Sequence, residues 1–152
     1  MHRFSDAWVL WAHLPQNPDW SLSGYQKIMT VETVEQALTL YQHLPDALVQ
    51  GCMLFLMREN ITPLWEDPRN KNGGFFSYKV NKNIASVWRE VSFSMMGNTL
   101  SGDNGLTQGI TGISISPKKN FCILKVWTGN RKCTDPTKIK LLKSDGCIFK
   151  EN

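Results

Sequence analysis

No apolar run in this 152-residue chain approaches the ~18 residues that a membrane-spanning helix requires. The opening residues, Met1 to Asp6, have none of the apolar stretch of a signal peptide, so no secretory leader is expected. Cysteine is sparse and unpatterned. Cys52, Cys122, Cys133 and Cys147 form no CxxC pair, and together with His2, His13 and His43 they match no zinc-ligand spacing. Reduced thiols in a cytosolic or nuclear protein are the expectation, with no metal and no cofactor. Repeats, linkers and low-complexity tracts are also missing, which leaves one domain across residues 1–152.

Acidic residues are scarce toward the C-terminus. From Lys118 onward nine basic residues are opposed only by Asp135, Asp145 and Glu151, a local charge of +6 in a chain whose total is +4. The rest is therefore slightly acidic. Such polarity suits a phosphate-bearing ligand at one end of the molecule.

Strands and helices alternate along the chain. Trp8 to Trp11, Tyr25 to Val31, Met53 to Met57 and Phe75 to Val80 read as strands. Ile113 to Ser116 and Phe121 to Trp127 read as a hairpin across Pro117 to Asn120, and the tail from Thr137 as one short further pair of strands. Thr33-Val34-Glu35-Gln36 is a capping box, with Gln36 reaching back, and the helix behind it stops at Pro45. A second helix is expected from Ile84 to Met96, ended by Gly97 in a left-handed conformation. The polar stretch Asp67 to Gly74 reads as a loop. An α+β domain follows, an antiparallel sheet with helices on one face.

Six tryptophans are many for this length. Trp88 lies on an apolar helix face, and Trp8 and Trp11 on a strand, so core packing explains all three. Trp20 and Trp65 sit instead in polar, loop-like stretches, and Glu66 and Asp67 follow Trp65 directly. An indole in a solvated loop buries little unless a ligand covers it, which points to stacking on a base. A neighbouring carboxylate accepts hydrogen bonds from a base edge.

The segment Trp65-Glu66-Asp67-Pro68-Arg69-Asn70-Lys71-Asn72-Gly73-Gly74 closely resembles the W-E-D-x-x-N-x-x-G-G segment of the translation initiation factor 4E family, the messenger RNA cap-binding proteins. Trp8-Val9-Leu10-Trp11 is similar to that family's first strand and Asp19-Trp20 to its first cap-binding loop. Thr33-Val34-Glu35 with Leu40 to His43 is similar to its first helix, Trp88 and Glu90 to its second, and Val126-Trp127-Thr128 to the end of its cap-side hairpin. The likeness runs from about His2 to Trp127. It implies a curved antiparallel sheet with two or three helices on the convex face. It also implies that Trp20 and Trp65 sandwich 7-methylguanine and that Glu66 accepts the N1 and N2 protons of the base. The backbone N–H of Trp65 would meet O6, and Trp127 would contact the methyl group. The base carries a formal positive charge, so the indoles attract it by cation–π as well as by stacking. The implied partner is 5′-capped messenger RNA in the cytoplasm, or also in the nucleus.

The chain departs from the family pattern in three places. Of three basic residues that usually hold the triphosphate, only Lys118 remains, with Phe75 and Ile123 at the other two positions. Lys125 is two residues from both Ile123 and Trp127, hence on their strand face, where it replaces the missing charge. On the helical face, where relatives bind scaffold initiation factors or repressors, the contact positions read His2-Arg3, Leu38 and Arg89, while Val34 and Glu90 keep the pattern. Losing an aromatic anchor and gaining a charge should each weaken an apolar groove. Only 25 residues follow Trp127, with no counterpart to the family's third helix. A translation initiation factor is the leading expectation, and a cap-binding repressor or decoy the alternative. No Nudix-type glutamate cluster or nucleophile–base pair is visible, so an enzyme is not expected.

Overall fold

The computed structural model describes residues 1–152 and joins seven strands into one antiparallel sheet. These are β1 (Arg3–His13), β2 (Gln26–Thr33), β3 (Met53–Arg58), β4 (Gly74–Val80), β5 (Ile110–Pro117), β6 (Cys122–Thr128) and β7 (Ile148–Glu151). Their spatial order is β2-β1-β3-β5-β6-β4-β7. Register shifts in β1 and at the start of β5 mark bulges, which bend a sheet locally.

Alternation along the strands separates two faces. Leu54 and Leu56 of β3, Leu124 and Val126 of β6, and Phe76 and Tyr78 of β4 join the main core, as do Trp8 and Leu10 of β1. The helices that cover this face are α1 (Val34–His43), α2 (Asp46–Gly51), α4 (Ile84–Met96) and α5 (Asn104–Gly109), contributing among others Tyr41, Val49, Trp88, Met95 and Leu106. On the opposite face Phe55, Met57, Ile61 and Trp127 form a second, smaller cluster against which Trp11, Tyr25 and Met53 pack. Trp11 is thus not a main-core residue beside Trp8. It is half-buried on the far side of the sheet.

The two long helices begin and end where the local chemistry directs. The Thr33 hydroxyl accepts from the Gln36 N–H at 3.1 Å. Gln36 reaches back to the N–H of Glu32 (2.7 Å), one residue before the cap. Helix α4 does not end through a left-handed Gly97, whose φ is −86°. Asn98 takes that conformation (φ 59°), the Thr99 N–H bonds back to the Ser94 carbonyl (2.8 Å), and the Asn98 N–H bonds to Met95 (3.1 Å). Asparagine tolerates this backbone better than any other residue with a side chain, and the arrangement is a Schellman motif shifted by one residue.

Three further expectations need correction. The helical face carries four helices rather than two or three, because α2 and α5 are too short to show periodicity, and a fifth, α3 (Pro68–Lys71), lies in the Trp65 loop. The polar stretch after Asp67 therefore contains a helix turn. The tail is not a pair of strands. It supplies one edge strand, β7, paired with β4, and an isolated bridge between Ser101 and Ile139.

Candidate functional site

The Trp65 loop is laced from beneath. The Asp67 carboxylate caps α3 through the Arg69 N–H (2.9 Å) and turns back to accept from the N–H and hydroxyl of Thr62, both at 2.8 Å. Burial works against this charge, but the three hydrogen bonds outweigh it and hold the Asp67 pKa below its usual range. Asn70, fully buried, donates to the Leu64 carbonyl at 2.8 Å and the Thr62 carbonyl at 3.3 Å. Closing the segment, Gly73 and Gly74 lie so near neighbouring backbone that a Cβ would strike the carbonyls of Thr128 and Lys150 respectively. Asp67, Asn70 and the glycine pair are thus structural. Their product is a fixed Trp65 that remains 52% exposed, with Glu66 exposed beside it.

The Trp20 loop is drawn together by its own polar residues. Asp19 accepts from the Ser21 N–H (2.9 Å), the Ser21 hydroxyl (2.5 Å) and the Ser23 hydroxyl (2.6 Å), bonds that lower its pKa. One face of the Trp20 indole is covered by His13, with ring centroids 3.8 Å apart and planes within 5°. Even so, Trp20 is 52% exposed, like Trp65.

Between the two loops, the sheet face opposite the helices presents ordered rows. Trp127 of β6 pairs with Phe75 of β4, and Phe75 with Lys150 of β7. In the next row on that face, Ser114, Lys125, Ser77 and Ile148 lie side by side across β5, β6, β4 and β7. The Trp127 indole N–H donates to the Ser114 hydroxyl at 3.0 Å, and its ring meets Phe55 edge-on, which fixes it in the floor of the cleft. The Lys125 ammonium sits 4.3 Å from the centre of the Phe75 ring. Burial, then the charges of Lys118 and Lys150, push its pKa down.

Trp20, Trp65, Glu66, Trp127, Lys118 and Lys125 all line this one cleft of about 500 Å³, a volume typical of small-molecule sites. Sequence reasoning missed Lys150, which lines it too. The sole signal was the alternation Ile148-Phe149-Lys150 in the last residues, unreadable without knowing that β4 is the partner.

The five residues of the helical face are arranged differently. His2 is engaged with Glu35 at the start of α1 through its backbone N–H (3.1 Å to each carboxylate oxygen) and its ring (2.7 Å). Those bonds lower the Glu35 pKa to about 2. Val34 is half-buried, Leu38 stands 50% exposed on α1, and Arg89 and Glu90 are exposed on α4. No helix is long and apolar enough to cross a membrane.

With this geometry in view, comparison with known proteins is specific. Residues 3–145 match the family described as Eukaryotic initiation factor 4E. Eukaryotic translation initiation factor NCBP of Triticum aestivum is 30% identical over 150 residues, covering 94% of this chain and 62% of that protein. Eukaryotic translation initiation factor 4E of Aplysia californica is 29% identical, covering 94% of this chain and 70% of that protein. The chain thus spans less than three quarters of either relative's length. Among solved structures, Ascaris suum eIF4E-3 in complex with the m7G cap matches with a TM-score of 0.77 and 25% identity, over 88% of this chain and 77% of that one. The laced W-E-D segment, the two exposed indoles and the seven-stranded sheet behind them have one common explanation: the chain belongs to the eukaryotic initiation factor 4E family.

Proposed function

We propose that this protein binds the 7-methylguanosine cap of messenger RNA and acts in translation initiation. One observation carries the reading: two half-exposed indoles, Trp20 and Trp65, open with Glu66 onto a single cleft that bears three lysines. The indoles take the cationic base between them. Glu66 accepts the N1 and N2 protons in a charge-assisted pair, and Trp127 meets the methyl group from the floor. Phosphates leaving the stacked base run toward Lys118, Lys125 and Lys150. Recognition proceeds without bond making or breaking, in the cytoplasm. Scaffold or repressor proteins dock on the helical face around Leu38, more weakly than on an aromatic-anchored groove. The names of the similar proteins speak for initiation rather than repression.

Fluorescence titration tests the core of this reading. 7-Methylguanosine triphosphate should quench tryptophan emission and bind far more tightly than guanosine triphosphate, which lacks the positive charge on the base. Trp20→Ala and Trp65→Ala should each cost about 1–3 kcal/mol. Equal affinity for the two nucleotides would remove the cap from consideration.

A further inference from the structure

His13, the last residue of β1, is completely buried, yet neither ring nitrogen faces a donor. Nδ1 lies 3.0 Å from the Leu14 carbonyl and Nε2 2.8 Å from the Asp19 carbonyl. Carbonyl oxygens only accept, so each nitrogen must carry a proton to make its bond. Either neutral tautomer leaves one lone pair pressed against a buried carbonyl, and a buried polar group without its bond is costly. The doubly protonated ring satisfies both.

The two carbonyls belong to the Trp20 loop, one at its start and one directly before the indole. Asp19 is clamped from the other side as well, since its carbonyl fills the space where a Cβ on Gly24 would stand. The His13 ring therefore ties the first residue and the middle of the loop to the end of β1 and stacks on the back of Trp20. An imidazolium there also gains from the indole face.

We propose that His13 acts as an imidazolium positioning residue, fixing the Trp20 indole for its ligand and making cap affinity fall as pH rises through the histidine's titration. This rests on the cap-binding reading above. The direction follows from the loop: deprotonation gives up one of the two bonds that hold it, and the fixed placement of the indole with it. The ionisable groups around the ring are few. Asp19 keeps its carboxylate charged through Ser21 and Ser23. Tyr25 meets the ring edge-on at 4.9 Å, and burial, then the Glu66 charge, raise its pKa, which leaves its phenol neutral. On β3 the ladder partner of His13 is Met53, which does not titrate.

The test pairs a ligand-free and a ligand-bound measurement. In the free wild-type protein, nitrogen-15 NMR from about pH 5.5 to about pH 8 follows His13, the range in which imidazoles change charge. Both His13 nitrogens should be protonated at the acid end, and the Trp20 indole N–H resonance should move with the same midpoint. Affinity for 7-methylguanosine triphosphate is then compared between wild type and His13→Phe over the same range. Titration of the ligand itself is common to both and cancels in the ratio. Phenylalanine keeps the stack but has no proton to lose, so the wild-type advantage should fall about five- to tenfold across the series. His13→Ala should bind weakly at every pH. Parallel pH profiles for wild type and His13→Phe, or a His13 neutral throughout, would overturn the proposal. If the cap is not the ligand, the NMR arm still decides: a Trp20 resonance indifferent to His13 titration rejects the positioning role, and one that follows it upholds that role.

Discussion

Lys125 and Phe75 are cross-strand diagonal neighbours whose side chains meet, the ammonium 4.3 Å from the ring centre. At the position where relatives usually carry an arginine, this chain has an aromatic ring that supports a lysine from the adjacent strand. The free protein holds that charge at a cost, since burial and the nearby Lys118 and Lys150 lower its pKa below 10.5. Between the lowered value and 10.5 the unfolded chain binds more protons, so the contribution of Lys125 to stability rises with pH across that window. Below the window the full cost is present. Lys125→Met should therefore stabilise the free protein near neutral pH by about 0.5–1 kcal/mol. That gain should shrink as pH approaches 10.5, and the variant should bind triphosphate less tightly. Thermal melts of both proteins over a pH series check the sign, and a variant that melts below wild type at neutral pH refutes it.

The phosphate contacts should divide among three lysines from three places in the chain. Solvent-exposed charge pairs contribute about 0.2–1 kcal/mol each and are screened over ~8 Å at physiological salt. Comparing 7-methylguanosine mono- and triphosphate isolates them, because the base contacts are shared. The triphosphate advantage should fall with salt, and again in Lys118→Ala, Lys125→Ala and Lys150→Ala. An unchanged advantage in Lys150→Ala would take the edge strand out of the site.

Glu66 is the only carboxylate in the cleft. Glu66→Ala should cost about 1.5–3 kcal/mol of cap affinity, the range for hydrogen bonds to charged groups. Glu66→Gln should recover little, because its amide nitrogen donates where an acceptor is needed. Isothermal calorimetry separates the two variants, and wild-type affinity in either would place the base edge elsewhere.

Asp67 should matter equally without touching the ligand. Asp67→Ala removes a helix cap and both bonds to Thr62, at about 1–3 kcal/mol of stability, and loosens the loop that presents Trp65. Asp67→Asn, which caps well, should recover part of both losses. Because the folded pKa is depressed, this stability is complete above ~4 and is lost as pH falls through the lowered value. Urea unfolding at neutral and acid pH reads the effect, and an Asp67→Ala protein that unfolds like wild type would show that the lacing does not hold the loop.

How far the sequence could be read depended on how far apart the interacting residues lie. The bounds of α1 and α4 were legible because Thr33, Pro45 and the apolar spacing around Trp88 act within a few residues of themselves. The same holds for the β5–β6 hairpin, and for Trp20 and Trp65, whose polar surroundings announced their exposure. Strand β7 was not legible. Its four residues have no strong pattern and owe their place to β4, more than seventy positions earlier, and to ties such as Arg131 to the Asn152 carbonyl at 3.2 Å. Lys150 went unseen with it. Asp67 was read beside Glu66 as one more acid near a base, and only its bonds to Thr62 reveal a different task. His13 could be counted but not understood until its two carbonyl neighbours were known.

Along β6, Cys122, Leu124 and Val126 enter the core while Ile123, Lys125 and Trp127 line the cleft. Inserting or deleting one residue within this strand would exchange the two sets, setting an ammonium and an indole under the helices and aliphatic side chains beneath the ligand. Lineages descending from this chain are therefore free to trade one cleft residue for another, as Phe75 and Ile123 already illustrate. A change in the strand's residue count is tolerated only where a bulge absorbs it, as in β1 and β5, because an unabsorbed frame shift would disturb core and cleft together.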